Sequence, residues 1–187
     1  LAVNGEIYNH KQLKAELKQA YAFQTESDCE VINALYLEDA PASFLNRLNG
    51  IFAFALWDAG KGRAIIARDP LGVCPLYWGH DKEGRLRVAS EMKSLVDDCA
   101  DVAQFPPGHW YDTATGELTK YYQRPWRDYD VVEGVEVSLQ ELREAFEAAV
   151  HRQLMTDVPY GVLLSGGLDS SLVAAVAARY ARHRIED

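Results

Sequence analysis

The chain has 187 residues, of which 48% are hydrophobic and 25% are charged, a balance that is typical of a globular protein and excludes a disordered or fibrous one. Its formal net charge of -9 argues against a nucleic-acid binder, because affinity for the phosphate backbone comes from clustered lysine and arginine. The longest apolar runs are far too short to cross a bilayer. We therefore expect a globular protein that neither binds nucleic acid nor spans a membrane.

The cysteines and the chain ends carry further information. Cys29, Cys74 and Cys99 show neither paired metal-ligand spacing nor a disulfide framework, so we expect a reducing, cytoplasmic compartment. The sequence opens on an apolar Leu1-Ala2-Val3 segment with no initiator Met or targeting pattern, and it stops after a predicted helix. We interpret both ends as cuts in a longer protein.

Helix and strand patterns fill the first part of the chain. Leu1-Ala2-Val3 is a strand segment that runs into a predicted Asn4-Gly5 turn. Three helices are predicted, at 10–19 after an Asn9 N-cap, from the capping box Ser27–Glu30, and at 42–48. Strands are predicted at 51–57, 63–68, 76–79, 86–89, 109–111 and 118–122. The first two of these six form a β-hairpin that is apolar on both faces, which indicates an antiparallel sheet covered on both sides.

The second part begins after a linker at 123–137 that is rich in Pro, Trp and charge. A helix is predicted over 138–154 from the capping box Ser138–Glu141, followed by a buried strand at 160–164 and a helix over 170–182. The predicted domains are therefore 1–122 and 138–187.

A glycine-rich string, Ser165-Gly166-Gly167-Leu168-Asp169-Ser170-Ser171, lies between that strand and the last helix. Adjacent glycines let the backbone approach a polyanion, and the helix start adds the positive end of its dipole. Ser165 and Ser170 can donate to phosphate oxygens. Asp169 would repel a bare phosphate, so it suggests a bridging Mg²⁺. The alternative is an ordinary strand-to-helix turn.

The string lacks the Gly-Lys-Ser/Thr ending of a Walker A loop. It resembles the S-G-G-x-D-S signature of the PP-loop ATP pyrophosphatases, which split ATP between the α and β phosphates. The resemblance implies ATP and Mg²⁺ as cofactors, with Asp169 as a magnesium ligand. It assigns ATP or pyrophosphate binding to Leu163, Leu164, Ser165, Gly166, Gly167, Asp169 and Ser170.

A second string, Asn4-Gly5-Glu6-Ile7-Tyr8-Asn9, would by itself indicate only a turn that leads into a helix. It resembles the N-G-E-I-Y-N motif of the class II glutamine amidotransferases. The resemblance implies that the Asn4 amide and the Gly5 N–H form the oxyanion hole, where two fixed donors stabilise developing charge. Asn4, Gly5 and Glu6 would line the glutamine pocket, and Asp28 would hold the α-ammonium group. Asp28 is otherwise an acid in the first turn of a helix.

Two more strings, 68–77 and 89–95, look like those of the asparagine synthetase family, where they build the sheet rather than perform chemistry. The family resemblance runs from Val3 to the end of the chain. It implies an α+β four-layer αββα sandwich that is N-terminal-nucleophile hydrolase-like and lacks its first strands. The start of an α/β nucleotide-binding PP-loop domain would follow.

The nucleophile of this family is an N-terminal Cys whose free α-amine acts as its base. The first residue here is Leu1, and the three cysteines are internal, so we interpret them as buried and inert. We expect these 187 residues alone to hydrolyse no glutamine and to make no asparagine.

For the whole protein the resemblance implies a ligase with glutamine as amido donor. It would convert glutamine, aspartate and ATP into asparagine, glutamate, AMP and pyrophosphate through a β-aspartyl-adenylate, and it would act as a homodimer. Two alternatives stay open: a β-lactam-synthetase-like adenylating enzyme of the same architecture, and a non-catalytic amidotransferase-like module.

Overall fold

The computed structural model describes residues 1–185, which fall into two compact units, Leu1–Pro125 and the residues from Trp126 onward. The division lies inside the predicted linker. Residues 186–187 of the predicted second domain lie outside the described residues. The functional assignment of each domain remains a prediction.

The first unit contains two antiparallel sheets. The larger has five strands in the order β1-β2-β3-β7-β8, and the smaller has three in the order β5-β4-β6. Three short α-helices and several 3-10 turns connect the strands. The elements are β1 (Ala2–Ile7), α1 (His10–Ala15), α2 (Val31–Glu38), α3 (Pro41–Phe44), β2 (Gly50–Asp58), β3 (Arg63–Arg68), β4 (Tyr77–His80), β5 (Leu86–Ala89), β6 (Ala103–Gln104), β7 (His109–Asp112) and β8 (Glu117–Lys120).

Alternate residues of β2 enter two different cores. Phe52 and Phe54 pack with residues of α1, α2 and α3 on one face of the larger sheet. Ala53 lies on the other face, in a cluster with Ile66 and Phe105 against which the smaller sheet packs. Side chains alternate between the faces of a strand, so a hairpin covered on both sides must be apolar throughout. The arrangement of helices, sheet and sheet fits the predicted αββα sandwich.

Three local predictions in the first unit are wrong. Asn4 and Gly5 form no turn, because both lie inside β1 and pair with Ala53 and Phe52. Asn9 makes no side-chain cap on α1; it bonds instead to the backbone of the loop before β2. The carboxylate of Glu30 accepts hydrogen bonds from the 24–25 backbone rather than closing a capping box.

The second unit is helical. Its helices are α4 (Tyr129–Val132), α5 (Leu139–Arg152) and α6 (Leu168–Ile185). Ser138 caps α5 as predicted, because its Oγ accepts from the N–H of Glu141 at 3.2 Å. Helices α5 and α6 contact each other through an ion pair of 2.8 Å between Arg179 and Glu147.

The predicted strand at 160–164 is not formed, and Leu163 is 95% exposed. A buried strand needs hydrogen-bonded neighbours on its edges, and the described residues from 126 to 185 supply no second strand. Among residues 1–185, no helix combines the length and apolar character needed to cross a membrane.

Candidate functional site

The residues that are predicted to bind the substrate glutamine, Asn4, Gly5 and Glu6, lie on β1 at the edge of the larger sheet. Asn4 pairs with Ala53 and Glu6 pairs with Ile51, and both of these partners belong to the core between the sheets. Because paired residues share a face, Asn4 and Glu6 face the smaller sheet. A side chain at Gly5 would point to the opposite face, because successive residues of a strand alternate between faces.

Gly5 cannot be any other residue without moving the backbone. Its φ is +135°, and a Cβ on it would lie 2.0 Å from the carbonyl oxygen of Ile51. The missing side chain therefore allows β1 to approach β2 closely at the point where the oxyanion donors are predicted. This requirement comes from the sheet and holds with or without a substrate.

Asp28 joins the neighbouring 3-10 turn to β1. Its Oδ2 accepts from the N–H of Ile7 at 2.5 Å. The adjacent thiol of Cys29 lies 3.4 Å from the carbonyl oxygen of Gly5, to which it donates. The structure thus brings Asp28 to the end of the strand that carries Asn4 and Gly5, although Asp28 lies more than twenty residues further along the sequence.

A contact that sequence reasoning missed links Asn4 to the smaller sheet. The Nδ2 of Asn4 donates to the Oγ of Ser90 at 3.0 Å, and Ser90 directly follows β5. The two residues line a cleft of about 200 Å³ together with Ala2, Val3, Ala55, Leu76, Val88 and Ala89. The sequence indicates only a structural role for the string at 89–95, and a separation of 86 residues gives no local signal for this contact.

The internal thiols are not poised as nucleophiles. Burial, and then the nearby Asp28 carboxylate, raise the pKa of Cys29 to about 12. Burial also raises the pKa values of Cys74 and Cys99, and all three thiols are buried and free of disulfides. Since the thiolate is the reactive form, this supports the interpretation of the three cysteines as inert.

The string at 68–77 forms a buried polar frame. Arg68 is 2% exposed, and its guanidinium donates to the carbonyls of Cys74, Phe105 and Gly72 at 2.7–2.9 Å. Asp69 is 1% exposed, and its carboxylate accepts from four backbone N–H groups. Buried charges are tolerated only when they are hydrogen-bonded in this way. The frame accounts for the motif without any role in chemistry.

The glycine-rich string in the second unit forms an exposed turn at the start of α6. The N–H of Ser171 bonds to the carbonyl of Gly167 at 3.1 Å, which makes Gly167 the residue that precedes the first helical turn. The hydroxyls of Ser165 and Ser170 lie 2.8 Å apart and bond to each other. Asp169 lies in the first turn of α6, and the two leucines before the turn, Leu163 and Leu164, are exposed.

The two glycines of this turn differ. Gly166 has a φ of +85°, which an L side chain rarely adopts, whereas the φ of Gly167 lies outside that region. A Cβ on Gly166 would meet nothing within 4 Å, and one on Gly167 would lie 3.6 Å from the Oγ of Ser165. The backbone conformation requires glycine only at Gly166. At Gly167 an added Cβ would make only an ordinary van der Waals contact with that hydroxyl.

Metal ligands are sparse. Within residues 1–185, no group of three or more His, Cys, Asp or Glu side chains is arranged to hold a metal ion. Asp169 is therefore a single carboxylate beside the open turn. Mg²⁺ in nucleotide sites is held by one or two carboxylates together with phosphate oxygens and water, and a single acid is compatible with that donor set.

Comparison with known proteins identifies the family. The sequence profile of the glutamine amidotransferase domain matches residues 1–104, more than half of the chain. The chain belongs to this family. A second profile, that of asparagine synthase, matches residues 141–186. The resemblance predicted from the two sequence strings is confirmed.

Similar curated proteins are named as glutamine-hydrolysing asparagine synthetases. It is 54% identical to the glutamine-hydrolysing asparagine synthetase B of Escherichia coli (strain K12), over 100% of this chain and 34% of that protein. It is 52% identical to the glutamine-hydrolysing asparagine synthetase of Zea mays, over 96% of this chain and 30% of that protein. The chain thus spans about a third of the length of the curated relatives it matches.

Solved structures support the fold. Glutamine phosphoribosylpyrophosphate amidotransferase from B. subtilis, complexed with ADP and GMP, matches with a TM-score of 0.55 at 22% identity, over 95% of this chain and 43% of that one. At this identity the match bears on architecture alone. It agrees with the αββα class predicted from the sequence.

Proposed function

We propose that this chain is part of a glutamine-hydrolysing asparagine synthetase. The observation that carries the proposal is the order of two features in one chain: an amidotransferase profile over 1–104 and an asparagine synthase profile over 141–186. The second profile includes the exposed turn at the start of α6. Amidotransferases that serve other pathways would carry a different second domain.

In the first unit the residues along β1 handle the amide of glutamine. Asn4 presents its side-chain amide, and Gly5 presents backbone that lies close to β2. Two fixed donors stabilise the charge that develops on the amide oxygen, and each such donor lowers the barrier by about 3 kcal/mol. Glu6 lies on the same face as Asn4, and Asp28 is the carboxylate available for the α-ammonium group.

The second unit binds the outgoing pyrophosphate of ATP. Gly166 and Gly167 are exposed at the N-terminal end of α6, where the helix dipole favours an anion. Two hydroxyls become available for phosphate oxygens when the contact between Ser165 and Ser170 opens and Ser170 gives up the hydrogen bond that it donates to the carbonyl of Gly167. Asp169 is the residue that would hold Mg²⁺ at this turn, and a bound ion would supply positive charge to offset that of the phosphates.

The compartment and the assembly follow from the same proposal. The buried, unpaired cysteines suit a cytoplasmic enzyme, and the working form is a homodimer with glutamine, aspartate and ATP as its small-molecule partners. Size-exclusion chromatography with light scattering tests the dimer.

The nucleotide products test the ligase assignment. The full-length protein, supplied with glutamine, aspartate, ATP and Mg²⁺, is expected to release asparagine with AMP and pyrophosphate in equal amounts. Phosphorus NMR separates pyrophosphate from inorganic phosphate. Release of ADP and phosphate contradicts the pyrophosphate turn. A product other than asparagine, formed without glutamate release, favours the β-lactam-synthetase-like alternative, and absence of any turnover favours the non-catalytic module.

Substitution of the glycines separates anion binding from folding. Gly167→Ala adds a methyl group that would lie 3.6 Å from the Oγ of Ser165, an ordinary contact without a clash, so we expect thermal unfolding within a few degrees of the wild type. The same methyl group meets a phosphate that approaches the backbone, so asparagine formation in the full-length protein is expected to fall about 100-fold. Gly166→Ala is the contrast, because its positive φ predicts loss of stability as well. Unchanged synthesis in Gly167→Ala overturns pyrophosphate binding at this turn.

A further inference from the structure

The hydrogen bond between Asn4 and Ser90 reaches across the gap between the two sheets. Asn4 lies on β1, at an edge of the larger sheet, and Ser90 follows β5, at an edge of the smaller sheet. We propose that Ser90 is a positioning residue for glutamine hydrolysis, and that its hydroxyl holds the Asn4 amide in the orientation that receives the developing oxyanion. The proposal rests on the function proposed above.

The chemistry of the two groups supports this role. A side-chain amide is planar and carries two N–H donors on one nitrogen. When one N–H donates to the Ser90 Oγ at 3.0 Å, the plane of the amide is fixed, and the direction of the second N–H is fixed with it. That second donor is the one available to a substrate in the adjoining cleft.

The surroundings leave little else to orient this amide. The cleft beside Asn4 is lined mainly by apolar side chains, including Ala55, Leu76 and Val88, and these offer no hydrogen-bond acceptor. The Asn4 side chain is exposed, so without Ser90 the amide is free to rotate and to donate to water. Transition-state stabilisation by a fixed dipole depends on that dipole being oriented before reaction.

A purely structural role for the bond is the competing explanation. Asn4 is exposed and Ser90 is only partly buried, so water can replace either partner when the other is removed. A hydrogen bond in this setting adds little to stability. Its loss should therefore be seen in the turnover number and not in the unfolding temperature.

The test compares variants of the full-length protein in two reactions. Ser90→Ala is expected to lower kcat for glutamine hydrolysis about 10- to 100-fold, with KM for glutamine changed less than about twofold because uniform binding is kept. Ammonia-dependent asparagine formation, which bypasses Asn4, is expected to stay at the wild-type rate. Ser90→Thr keeps the hydroxyl acceptor and should restore most of kcat.

A transition-state analogue provides the second readout. The aldehyde analogue of glutamine places an oxyanion where the reaction does, so its affinity should fall in Ser90→Ala by the same factor as kcat/KM. Ser94→Ala, an exposed serine in the 3-10 turn that follows, is the matched control and should behave as the wild type. Asn4→Ala should lose at least as much kcat as Ser90→Ala.

The outcomes separate this inference from the function on which it rests. If the wild type hydrolyses glutamine and Asn4→Ala is impaired while Ser90→Ala is not, Ser90 has no positioning role and the proposed function stands. Equal impairment of Ser90→Ala and Ser90→Thr, or a parallel loss of ammonia-dependent synthesis, also overturns the inference. If the wild type hydrolyses no glutamine, both fail.

Discussion

Replacement of Gly5 by alanine is expected to abolish glutamine hydrolysis in the full-length protein and to lower the free energy of unfolding by about 2–5 kcal/mol. The added Cβ would lie 2.0 Å from the carbonyl oxygen of Ile51 and 2.7 Å from the Cα of Phe52. Both are backbone atoms, so no rotamer change relieves the clash. Alanine also disfavours the φ of +135°. The strand β1 must then move away from β2 and take Asn4 with it.

Two measurements check this expectation. Urea unfolding of the 187-residue chain, followed by tryptophan fluorescence, gives the stability change, and release of glutamate by the full-length protein gives the activity. Gly161→Ala is the matched control, since a Cβ there meets nothing within 4 Å and its φ is not positive. A Gly5→Ala protein with wild-type stability would show that β1 does not pack against β2 as described.

The second large effect is expected at Asp69. Its carboxylate accepts from the N–H groups of Leu71, Gly72, Val73 and Cys74 at 2.6–3.1 Å. Asp69→Ala leaves all four donors without an acceptor, and we expect the free energy of unfolding to fall by about 3–5 kcal/mol. Asp69→Asn keeps one oxygen but turns an amide toward at least one donor, so a smaller loss of about 1–3 kcal/mol is expected.

The decisive result is the order in which the wild type and the two Asp69 variants unfold as the urea concentration rises. Wild type, asparagine and alanine variants should unfold at successively lower urea concentrations in the same fluorescence assay. Asp97→Ala removes an exposed carboxylate and should stay within about 0.5 kcal/mol of the wild type. An alanine variant as stable as the wild type would mean that the four backbone contacts contribute nothing.

Sequence patterns predicted the fold correctly where the local preference of the residues agrees with the contacts that they make in the folded chain. The hairpin of β2 and β3 was predicted because both strands are apolar throughout and a glycine-rich turn joins them, and the structure confirms it. The Asn4-Gly5 turn was wrong because the same dipeptide that favours a turn also permits the closest approach of two strands. The two structures, a turn and a close strand pair, are distinguished only by the pairing of Gly5 with Phe52.

The missing strand at 160–164 has a different cause. Its apolar run has the composition of a buried strand, but composition cannot provide the neighbouring edge that satisfies its backbone groups. In the described part of the second unit Leu163 and Leu164 are exposed instead. The prediction used the apolar composition of the segment and was wrong because the described part of the second unit contains no strand for it to pair with.

The sequence suggested candidate site residues, whose roles stay predictions, but it did not indicate the contacts that these residues make. Asn4, Gly5 and Asp28 stand out by family resemblance. The pairing of β1 with β2, and the hydrogen bond from Ile7 to Asp28, are not encoded in those strings. Ser90 carried no signal, because its partner is 86 residues away and serine is common after a strand. A contact between the edges of two sheets can be recognised only from a structure that contains both sheets.

The buried frame of Arg68 and Asp69 affects how damaged variants of this protein should be interpreted. We expect substitutions of Arg68 or Asp69 to lower the number of molecules that reach the folded form. The molecules that do fold are expected to keep the proposed glutamine-binding residues of β1 in place. A bulk assay registers this as weak catalysis. Titration of functional sites with an irreversible glutamine analogue would instead show that a small fraction of the molecules is active and that each active molecule has the wild-type turnover number.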